Sequence, residues 1–277
     1  MKKLKPITPP HVEKLLTLGI TQLEISEILG MLRIELFGNR QAEEMPTCYI
    51  VGGQPSSGKT SLNERIIEGF RETKIAKPVI INGNELKRFH PNYDEYFQED
   101  SKESTVSPQL FANILVDYFQ EYALEKRISF ILDVTMRTLA TPLTTIHKAQ
   151  KKNYRIETHI LAVHQQRSWV GVHERYESQK AYLGKGQFIY QDLHDTAFDN
   201  IPRVADVLYQ DPEALNKMVI YTAQAQNIIY ETQRISGGKW DNEILPSEIL
   251  HQERNRIMDS QEEERISWGW NLIRAKQ

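Results

Sequence analysis

The chain of 277 residues has a formal net charge of −3, with 40% hydrophobic and 26% charged residues. These values are ordinary for a globular protein and exclude a strongly basic nucleic-acid binder or a low-complexity chain. No run of about eighteen apolar residues occurs, and no apolar stretch of signal-peptide type follows the basic first residues, so we expect a cytoplasmic protein without a membrane span. Cys48 is the only cysteine, which excludes an internal disulfide.

The first predicted element is a pair of helices over residues 9–37. Leu, Ile and Met recur there at helical spacing, and Gly19 and Thr21 mark a break between the two helices. The layout is similar to a helix-turn-helix, but the second helix mixes acidic and basic residues, so we do not expect nucleic acid as a partner. The simpler interpretation is a helical hairpin packed on the main domain, followed by a polar connector over 38–46.

The rest of the chain alternates between predicted strands and predicted helices. Strands are expected over 47–53, 77–83, 128–134, 155–163 and 216–223, and helices over 60–72, 107–127, 143–153, 166–181 and, as a charged C-terminal helix, 247–276. Such alternation predicts an α/β fold with a parallel sheet and helices on both faces. We therefore predict a helical segment over 1–45, an α/β domain over 46–240 and a helical extension over 241–277.

A phosphate-binding loop follows the first predicted strand. The segment GQPSSGKT, residues 53–60, matches G-x-x-x-x-G-K-[ST] at every fixed position, between a strand and a helix. Glycines let successive backbone N–H groups face one anion, and the helix N-terminus adds positive potential. Lys59 is expected to neutralise the β- and γ-phosphates, and the Thr60 hydroxyl to ligate Mg²⁺. The motif predicts a P-loop kinase fold and assigns nucleotide binding to Gly53, Gln54, Pro55, Ser56, Ser57, Gly58, Lys59, Thr60 and Ser61.

Candidate residues for the metal and for the transferred phosphoryl group lie further along. Asp133 ends a nearly continuous apolar strand, where its carboxylate could hold Mg²⁺, face the acceptor or only cap the next turn. Arg137 lies where a strand-end loop would meet a substrate. Arg175 and the glycine-flanked Lys185 are spaced like the cations of a kinase lid, where a guanidinium can stabilise the transferring group. On spacing alone, Arg175 and Arg137 could equally be solvated surface residues.

Five motifs together resemble those of the zeta toxin family. They occur in the order GGQPSSGKTSL, VIINGNELKRFHPNYDEY, FILDVTMRTLATP, HERYESQKA and LHDTAFDNIP, over roughly residues 47–235. The resemblance implies a kinase that uses ATP or GTP with Mg²⁺ to phosphorylate the 3′-hydroxyl of the amino sugar of UDP-N-acetylglucosamine, which blocks cell-wall synthesis. It also implies a small helical antitoxin that covers the nucleotide site. Residues 1–40 could receive such a partner or inhibit the kinase within the same chain.

The resemblance also implies roles for particular residues. Lys59 and Thr60 match the positions that hold the donor phosphates and the metal, and Arg175 matches an arginine that contacts the transferring phosphate. The substrate-side positions of the family are matched by Thr135, Arg137 and Thr145. His90, which precedes a proline in the second motif, is either a substrate contact or a structural hydrogen-bonding residue.

Three positions depart from the family pattern. Asn84 stands where the family has an aspartate, at the end of the second strand, that orients and deprotonates the sugar hydroxyl, and an amide cannot take that proton. Glu85 and Asp133 are the alternative bases, although Glu85 would point elsewhere in a regular backbone. Asp133 itself replaces a glutamate, and Gln187 replaces a second lid arginine, for which Lys185 could substitute.

These departures leave two other functions open. The first is a P-loop kinase for a different hydroxyl acceptor, such as a nucleotide, a nucleic-acid end or an antibiotic. The second is a nucleotide-binding or sugar-nucleotide-binding regulator with weak or no catalysis, because Asn84 cannot act as a base.

Overall fold

A six-stranded sheet with helices on both faces forms the centre of the fold. The computed structural model describes residues 9–73, 76–98, 106–184 and 186–276, so Lys185 lies outside the described residues. The strands are β1 (Thr47–Gly52), β2 (Val79–Asn82), β3 (Phe130–Val134), β4 (Arg155–Leu161), β5 (Lys217–Tyr221) and β6 (Ile228–Gln233). Their order in the sheet is β2–β3–β1–β4–β5–β6; β1 to β5 are parallel, and β6 is antiparallel to β5. The predicted α/β fold is confirmed, with β6 as an unpredicted sixth strand.

The helices follow the predicted alternation, with two differences. They are α1 (Pro9–Thr17), α2 (Gln22–Phe37), α3 (Lys59–Glu68), α4 (Gly83–Leu86), α5 (Tyr93–Gln98), α6 (Val106–Lys126), α7 (Ala140–Gln150), α8 (Gln165–Leu183), α9 (Gln191–Gln210), α10 (Pro246–Arg254) and α11 (Ser260–Lys276). No helix was predicted at α9, and the single C-terminal helix that we predicted is two helices separated by residues 255–259. None of the described helices combines the length and apolar character that a membrane crossing requires.

Side chains alternate between the two faces of each strand and so form two cores. In β1, Ile50 belongs to the larger core, whereas Val51 belongs to a smaller core with Leu62 and Ile66 of α3. Cys48, which we expected to be a buried strand residue, is fully buried in β1. The strand that leads into the phosphate loop is therefore held from both faces.

The N-terminal helices belong to the larger core. Leu15 of α1 and Leu29 of α2 are buried in the same cluster as the sheet residues. Gly19 has a positive φ of 82°, and Thr21 begins α2 with a capping box in which the Glu24 backbone N–H and carboxylate pair with Thr21. The predicted break between α1 and α2 is confirmed, and the hairpin packs on the α/β domain.

The sheet places three polar segments at one edge. β1 lies between β3 and β4, and Asp133 of β3 is in register with both Val51 of β1 and Asn82 of β2. The carboxyl ends of parallel strands form the crevice in which open α/β sheets bind their ligands. The loop after β1 and the ends of β2 and β3 therefore meet at this crevice.

Candidate active site

The loop between β1 and α3 has the backbone of an anion cradle. Gly58 has a φ of 99°, a left-handed conformation that favours glycine, and a Cβ at this position would lie 3.2 Å from Cα of Gln224. A Cβ at Gly53 would collide with the Ser57 hydroxyl. Both fixed glycines of the motif are thus required by space, and Gly58 also by conformation. Helix α3 begins directly after the loop, at Lys59, so its N-terminus faces the same point.

Lys59 lies folded over the loop. Its Nζ donates to the carbonyl oxygens of Gly53 at 2.8 Å and Gln54 at 3.3 Å, and lies 4.0 Å from the Asp133 carboxylate. Burial lowers the pKa of Lys59, the negative charge of Asp133 opposes this, and the positive charge of Arg175 adds to it. A buried ammonium held mainly by neutral carbonyls can exchange them for phosphate oxygens at little cost.

Asp133 is the buried carboxylate beside this lysine. Its side chain is 6% exposed, and Asn63 and Asn82 each donate an amide N–H to its Oδ2 at 3.2 Å. Burial raises the pKa of Asp133, and the charge of Lys59 opposes the shift. Thr60 is exposed in the first turn of α3, and the buried Oδ1 of Asn63 has no partner. The Thr60 hydroxyl and the Asp133 carboxylate are oxygen donors of the kind that Mg²⁺ takes, so these two residues fit the ion.

Two further cations, Arg175 and Lys87, interact electrostatically with each other, and Arg175 also acts on Lys59. Arg175 on α8 is half-buried, its buried Nε has no partner, and burial lowers its pKa. Lys87, in the turn that follows α4, is 7% exposed, and burial together with the charge of Arg175 lowers its pKa to about 8. Burial disfavours the charged forms of Arg175 and Lys87, so an anion bound beside either side chain would stabilise its positive charge. The burial of Lys87 was not predicted, because it depends on the helical backbone over 83–89 and on the packing around it.

Lys59, Asp133 and Arg175 line one cavity of about 350 Å³, which we call the phosphate cavity. Its walls come from the loop, the ends of β2 and β3, helices α4 and α8, the turn after β5, and α11. The lining residues are Ser56, Ser57, Gly58, Lys59, Thr60, Asn82, Asn84, Glu85, Asp133, Val163, Arg167, Val170, Gly171, Glu174, Arg175, Ala223, Gln224, Arg265 and Ile266. The structure thus brings together the loop, Asn84, Glu85, Asp133 and Arg175.

The turn after β5, the helix α11 and the first half of α8, before the predicted Arg175, were not expected to contribute. None of these parts carries a recognisable motif at the lining positions. Helix α11 packs along α8, where a Cβ at Gly269 would lie 2.6 Å from Oε1 of Glu174, and this packing brings Arg265 and Ile266 to the cavity. This wall of the phosphate cavity forms because the chain after β6 leads back to α8.

Asn84 and Glu85 lie on α4 rather than at the end of a strand. Strand β2 ends at Asn82, whose side-chain oxygen accepts from the Asn84 N–H at 2.8 Å and so begins the helix. The placement of Asn84 at the strand end was therefore wrong. The expectation that Glu85 points elsewhere was also wrong, because both neighbours line the cavity from this helical turn. Glu85 remains exposed and pairs with Arg88 at 3.2 Å.

Two predicted substrate contacts are buried away from the phosphate cavity. His90 is 4% exposed; its Nδ1 accepts from the Asn92 N–H at 3.1 Å, and its Nε2 lies 3.3 Å from the Ser107 hydroxyl. Thr145 is 2% exposed and donates to Oε1 of Gln120 at 2.8 Å, where α7 meets α6. Both side chains hold protein elements together, and neither lines the cavity.

Three other predicted positions also lie outside the cavity lining. Thr135 and Arg137 follow β3, and the carbonyl of Arg137 accepts from Asn200 at 2.9 Å. Met136 between them is buried and packs against Gly52. The backbone N–H of Gln187 donates to the Gln179 side chain at 2.8 Å.

The loop residues themselves divide into two kinds. Gln54 is fully buried, and its amide donates to the Val163 carbonyl at 2.9 Å and to the Ser168 hydroxyl at 3.2 Å, so its side chain faces the protein. The hydroxyls of Ser56 and Ser57 are buried without a partner. Two orphaned hydroxyl donors in a glycine loop fit an anionic ligand.

A second cavity of about 410 Å³, which we call the adjoining cavity, shares part of this lining. Arg167, Ala223, Gln224 and Arg265 belong to both cavities. The remaining residues of the adjoining cavity come from the turn after β5 and from residues 253–262: Thr222, Gln226, Asn227, Glu253, Arg256, Asp259, Gln261 and Glu262. The two cavities therefore share part of one wall.

A glycine loop at the carboxyl edge of a parallel sheet shares a cavity with a helix that carries a half-buried arginine, and this arrangement defines the class: the protein is a P-loop phosphotransferase with a kinase-like fold. Residues 35–235 match the family model described as Zeta toxin. The chain therefore belongs to the zeta toxin family. Helices α10 and α11 lie beyond the matched residues.

Individual relatives agree with this assignment. Toxin zeta of Enterococcus hirae is 28% identical over 229 residues, which cover 82% of this chain and 76% of that protein. Toxin PezT of Streptococcus pneumoniae is 27% identical over 157 residues, which cover 57% of this chain and 60% of that one.

Two solved structures share the fold. A chain of the PezAT toxin–antitoxin system of Streptococcus pneumoniae has a TM-score of 0.76 at 19% identity, over 93% of this chain and 97% of that chain. The AvrRxo1-ORF1:-ORF2 complex with ATP has a TM-score of 0.59 at 15% identity, over 100% of this chain and 92% of that chain. At these identities the similarity concerns the fold alone.

Proposed function

We propose that the protein is a toxin kinase that transfers the γ-phosphoryl group of ATP or GTP to the 3′-hydroxyl of the amino sugar of UDP-N-acetylglucosamine. The observation that carries the proposal is the phosphate cavity, in which a complete phosphate loop and a polar acceptor side share one space of about 350 Å³. Asn82, Asn84 and Glu85 supply that polar side. Holding donor and acceptor in one cavity replaces a bimolecular encounter by a positioned reaction.

The donor binds with its phosphates on the loop and its nucleoside in the adjoining cavity. Lys59 exchanges the Gly53 and Gln54 carbonyls for β- and γ-phosphate oxygens, and the Ser56 and Ser57 hydroxyls gain an acceptor. The adjoining cavity continues from the loop past Gln224 and has amide and arginine side chains suited to a ribose and a base.

The Thr60 hydroxyl and the Asp133 carboxylate would hold Mg²⁺. The ion, when bound, neutralises charge on the β- and γ-phosphates. Arg175, whose buried Nε has no partner, faces the position of the transferred group and stabilises the charge on its oxygens.

Asn84 orients the acceptor hydroxyl but does not take its proton. The amide oxygen can accept a hydrogen bond from the hydroxyl. The transition state of phosphoryl transfer is loose and needs little help from a strong base, so a carboxylate of the cavity, Asp133 or Glu85, can take the proton late. We therefore expect a working but slowed kinase.

The direct test is phosphate transfer from ATP to UDP-N-acetylglucosamine, with the product identified by mass spectrometry. The wild-type protein is compared with Asn84→Asp, which restores a carboxylate, and with the matched control Asn84→Ala. We expect transfer by the wild type, a gain of about 10²-fold in Asn84→Asp and a loss in Asn84→Ala. Absence of a phosphorylated sugar nucleotide in both the wild type and Asn84→Asp would exclude this acceptor.

One observation favours a second candidate, a kinase for a different hydroxyl acceptor. The substrate-side residues implied by the family resemblance, Thr135, Arg137 and Thr145, do not line the phosphate cavity. Release of ADP is therefore followed over a panel of nucleotides, nucleic-acid ends, antibiotics and sugar nucleotides. Turnover confined to UDP-N-acetylglucosamine excludes this candidate, and ATP binding without any turnover supports a regulator.

We also propose an antitoxin partner. The two structural neighbours come from a toxin–antitoxin system and from a two-protein complex. A small helical partner that covers the phosphate cavity would exclude ATP. Expression of the chain alone and together with a neighbouring small reading frame, with cell growth as the readout, tests the proposal; equal growth inhibition in both cases contradicts it.

A further inference from the structure

A buried arginine behind the phosphate loop connects the C-terminal helices to the site. Arg254 is the last residue of α10, beyond the residues that match the family. Its side chain is 2% exposed, although arginine is almost never fully buried unless it is paired. The groups that contact the Arg254 side chain therefore indicate its role.

The guanidinium of Arg254 is held by neutral groups. Its Nη1 donates to the Phe198 carbonyl at 2.7 Å, its Nη2 donates to Oε1 of Gln54 at 3.3 Å, and it lies 4.6 Å from the centre of the Phe198 ring. Its Nε is buried without a partner, and no described carboxylate forms an ion pair with it. Burial lowers the pKa of Arg254 to about 10, and the charge of Asp199 opposes this shift, so the group stays protonated at neutral pH.

Gln54 carries this contact into the loop. Its side chain is fixed at both ends, since its amide donates to Val163 and Ser168 while its oxygen accepts from Arg254. The backbone carbonyl of the same residue accepts from the Ser57 N–H at 3.2 Å and from Nζ of Lys59 at 3.3 Å. The fixed Gln54 side chain thus holds in place the backbone carbonyl that accepts from Ser57 and Lys59.

We propose that Arg254 is a positioning residue of the donor site, which fixes the phosphate loop through Gln54 and favours polyphosphate binding by its buried charge. A positive charge in a poorly solvated region attracts a nearby polyanion more strongly than a surface charge does. The inference rests on the proposed function only in taking ATP as the donor. It assigns a role to the C-terminal extension in the donor site.

The test measures the affinity for ATP with Mg²⁺ and for adenosine by calorimetry. Arg254→Met and Gln54→Met are each expected to bind ATP about tenfold more weakly than the wild type. The double variant should lose no more affinity than the more affected single variant, because both substitutions break the same contact. Arg254→Lys, which keeps the charge and loses the fork, should recover part of the affinity. The affinity for adenosine should change less than twofold, because adenosine has no phosphates; a merely structural role would lower both affinities.

Arg234→Met is the matched control. Arg234 is also held by main-chain carbonyls, those of Tyr209 and Asp211, and lies over the ring of Trp240 at 4.0 Å, but these contacts are remote from the phosphate loop. Its loss should lower thermal stability and leave ATP affinity unchanged.

Unchanged ATP affinity in folded Arg254→Met and Gln54→Met overturns the inference, as does an equal loss for ATP and adenosine. If Arg254→Met does not fold, Arg254→Lys and Gln54→Met decide the question, because both keep most of the buried volume. A folded wild-type protein that binds neither ATP nor GTP refutes the proposed function, and with it the basis of this inference; if only GTP binds, GTP and guanosine replace ATP and adenosine in the same comparison. The two failures are therefore distinguishable.

Discussion

Replacing Lys87 by Met should change how protein stability depends on pH. Lys87 is 7% exposed, and among the described residues no carboxylate forms an ion pair with it. Burial lowers the pKa of its ammonium from 10.5 to about 8. One pKa unit corresponds to about 1.4 kcal/mol, so the native state carries a cost of about 3 kcal/mol when Lys87 is charged.

The direction of the effect follows from the two pKa values. Below pH 8 the lysine is protonated in both the folded and the unfolded chain, and the full cost is present. Between pH 8 and 10.5 the folded chain loses the proton first, so the free energy of unfolding rises with pH. From pH 7 to about pH 9.5 the gain is about 2 kcal/mol, and it is absent from Lys87→Met.

Urea unfolding of both proteins at the two pH values measures this gain, because other titrating groups cancel in the difference. The free energy of unfolding of the wild type minus that of Lys87→Met should increase by about 2 kcal/mol from pH 7 to about pH 9.5. Lys126→Met, which removes an exposed lysine at the end of α6, is the matched control against which the Lys87→Met difference is compared. A difference for Lys87→Met that is equal at both pH values would refute the argument that burial governs this group.

Two further predictions concern the site and its surroundings. Lys59→Met should lower phosphoryl transfer, measured by release of ADP, by at least about 10²-fold, and normal transfer would contradict the mechanism. Its thermal midpoint should stay close to that of the wild type, because among the described residues Nζ contacts two loop carbonyls and one distant carboxylate. Thr145→Val should lower the free energy of unfolding by about 1 kcal/mol through the lost bond to Gln120 and leave the KM for the acceptor unchanged; a raised KM would restore Thr145 as a substrate contact.

Much of the fold could be predicted because the signals are local. Apolar runs such as the one before Asp133 read as buried strands of a parallel sheet, and the phosphate loop needs only eight consecutive residues to be recognised. The edge strand β6 was missed because its burial depends on β5 beside it. The C-terminal helix was predicted as one because its charged pattern continues through residues 255–259, where an Arg256–Glu262 ion pair closes the turn.

The site residues show the same difference between local sequence signals and tertiary packing. Asp133 could be assigned to the crevice because it ends a strand, and Arg175 because it belongs to a recognised motif. Thr145 could not be excluded, since its burial against Gln120 requires α6 and α7 to pack together. Asn84 and Glu85 were misplaced because the chain turns into α4 directly after Asn82.

The sequence by itself predicted a phosphate-binding loop, since the loop, its lysine and its helix are contiguous and their geometry follows from local backbone preferences. It also determined that position 84 is an amide, whatever the fold does around it. Only the tertiary structure decided which cations lie beside the loop, because Arg175 and Arg265 come from separate helices and line one cavity through packing. The contact between Arg254 and Gln54 was decided in the same way, because α10 follows the whole sheet in the chain and reaches the loop only through the fold.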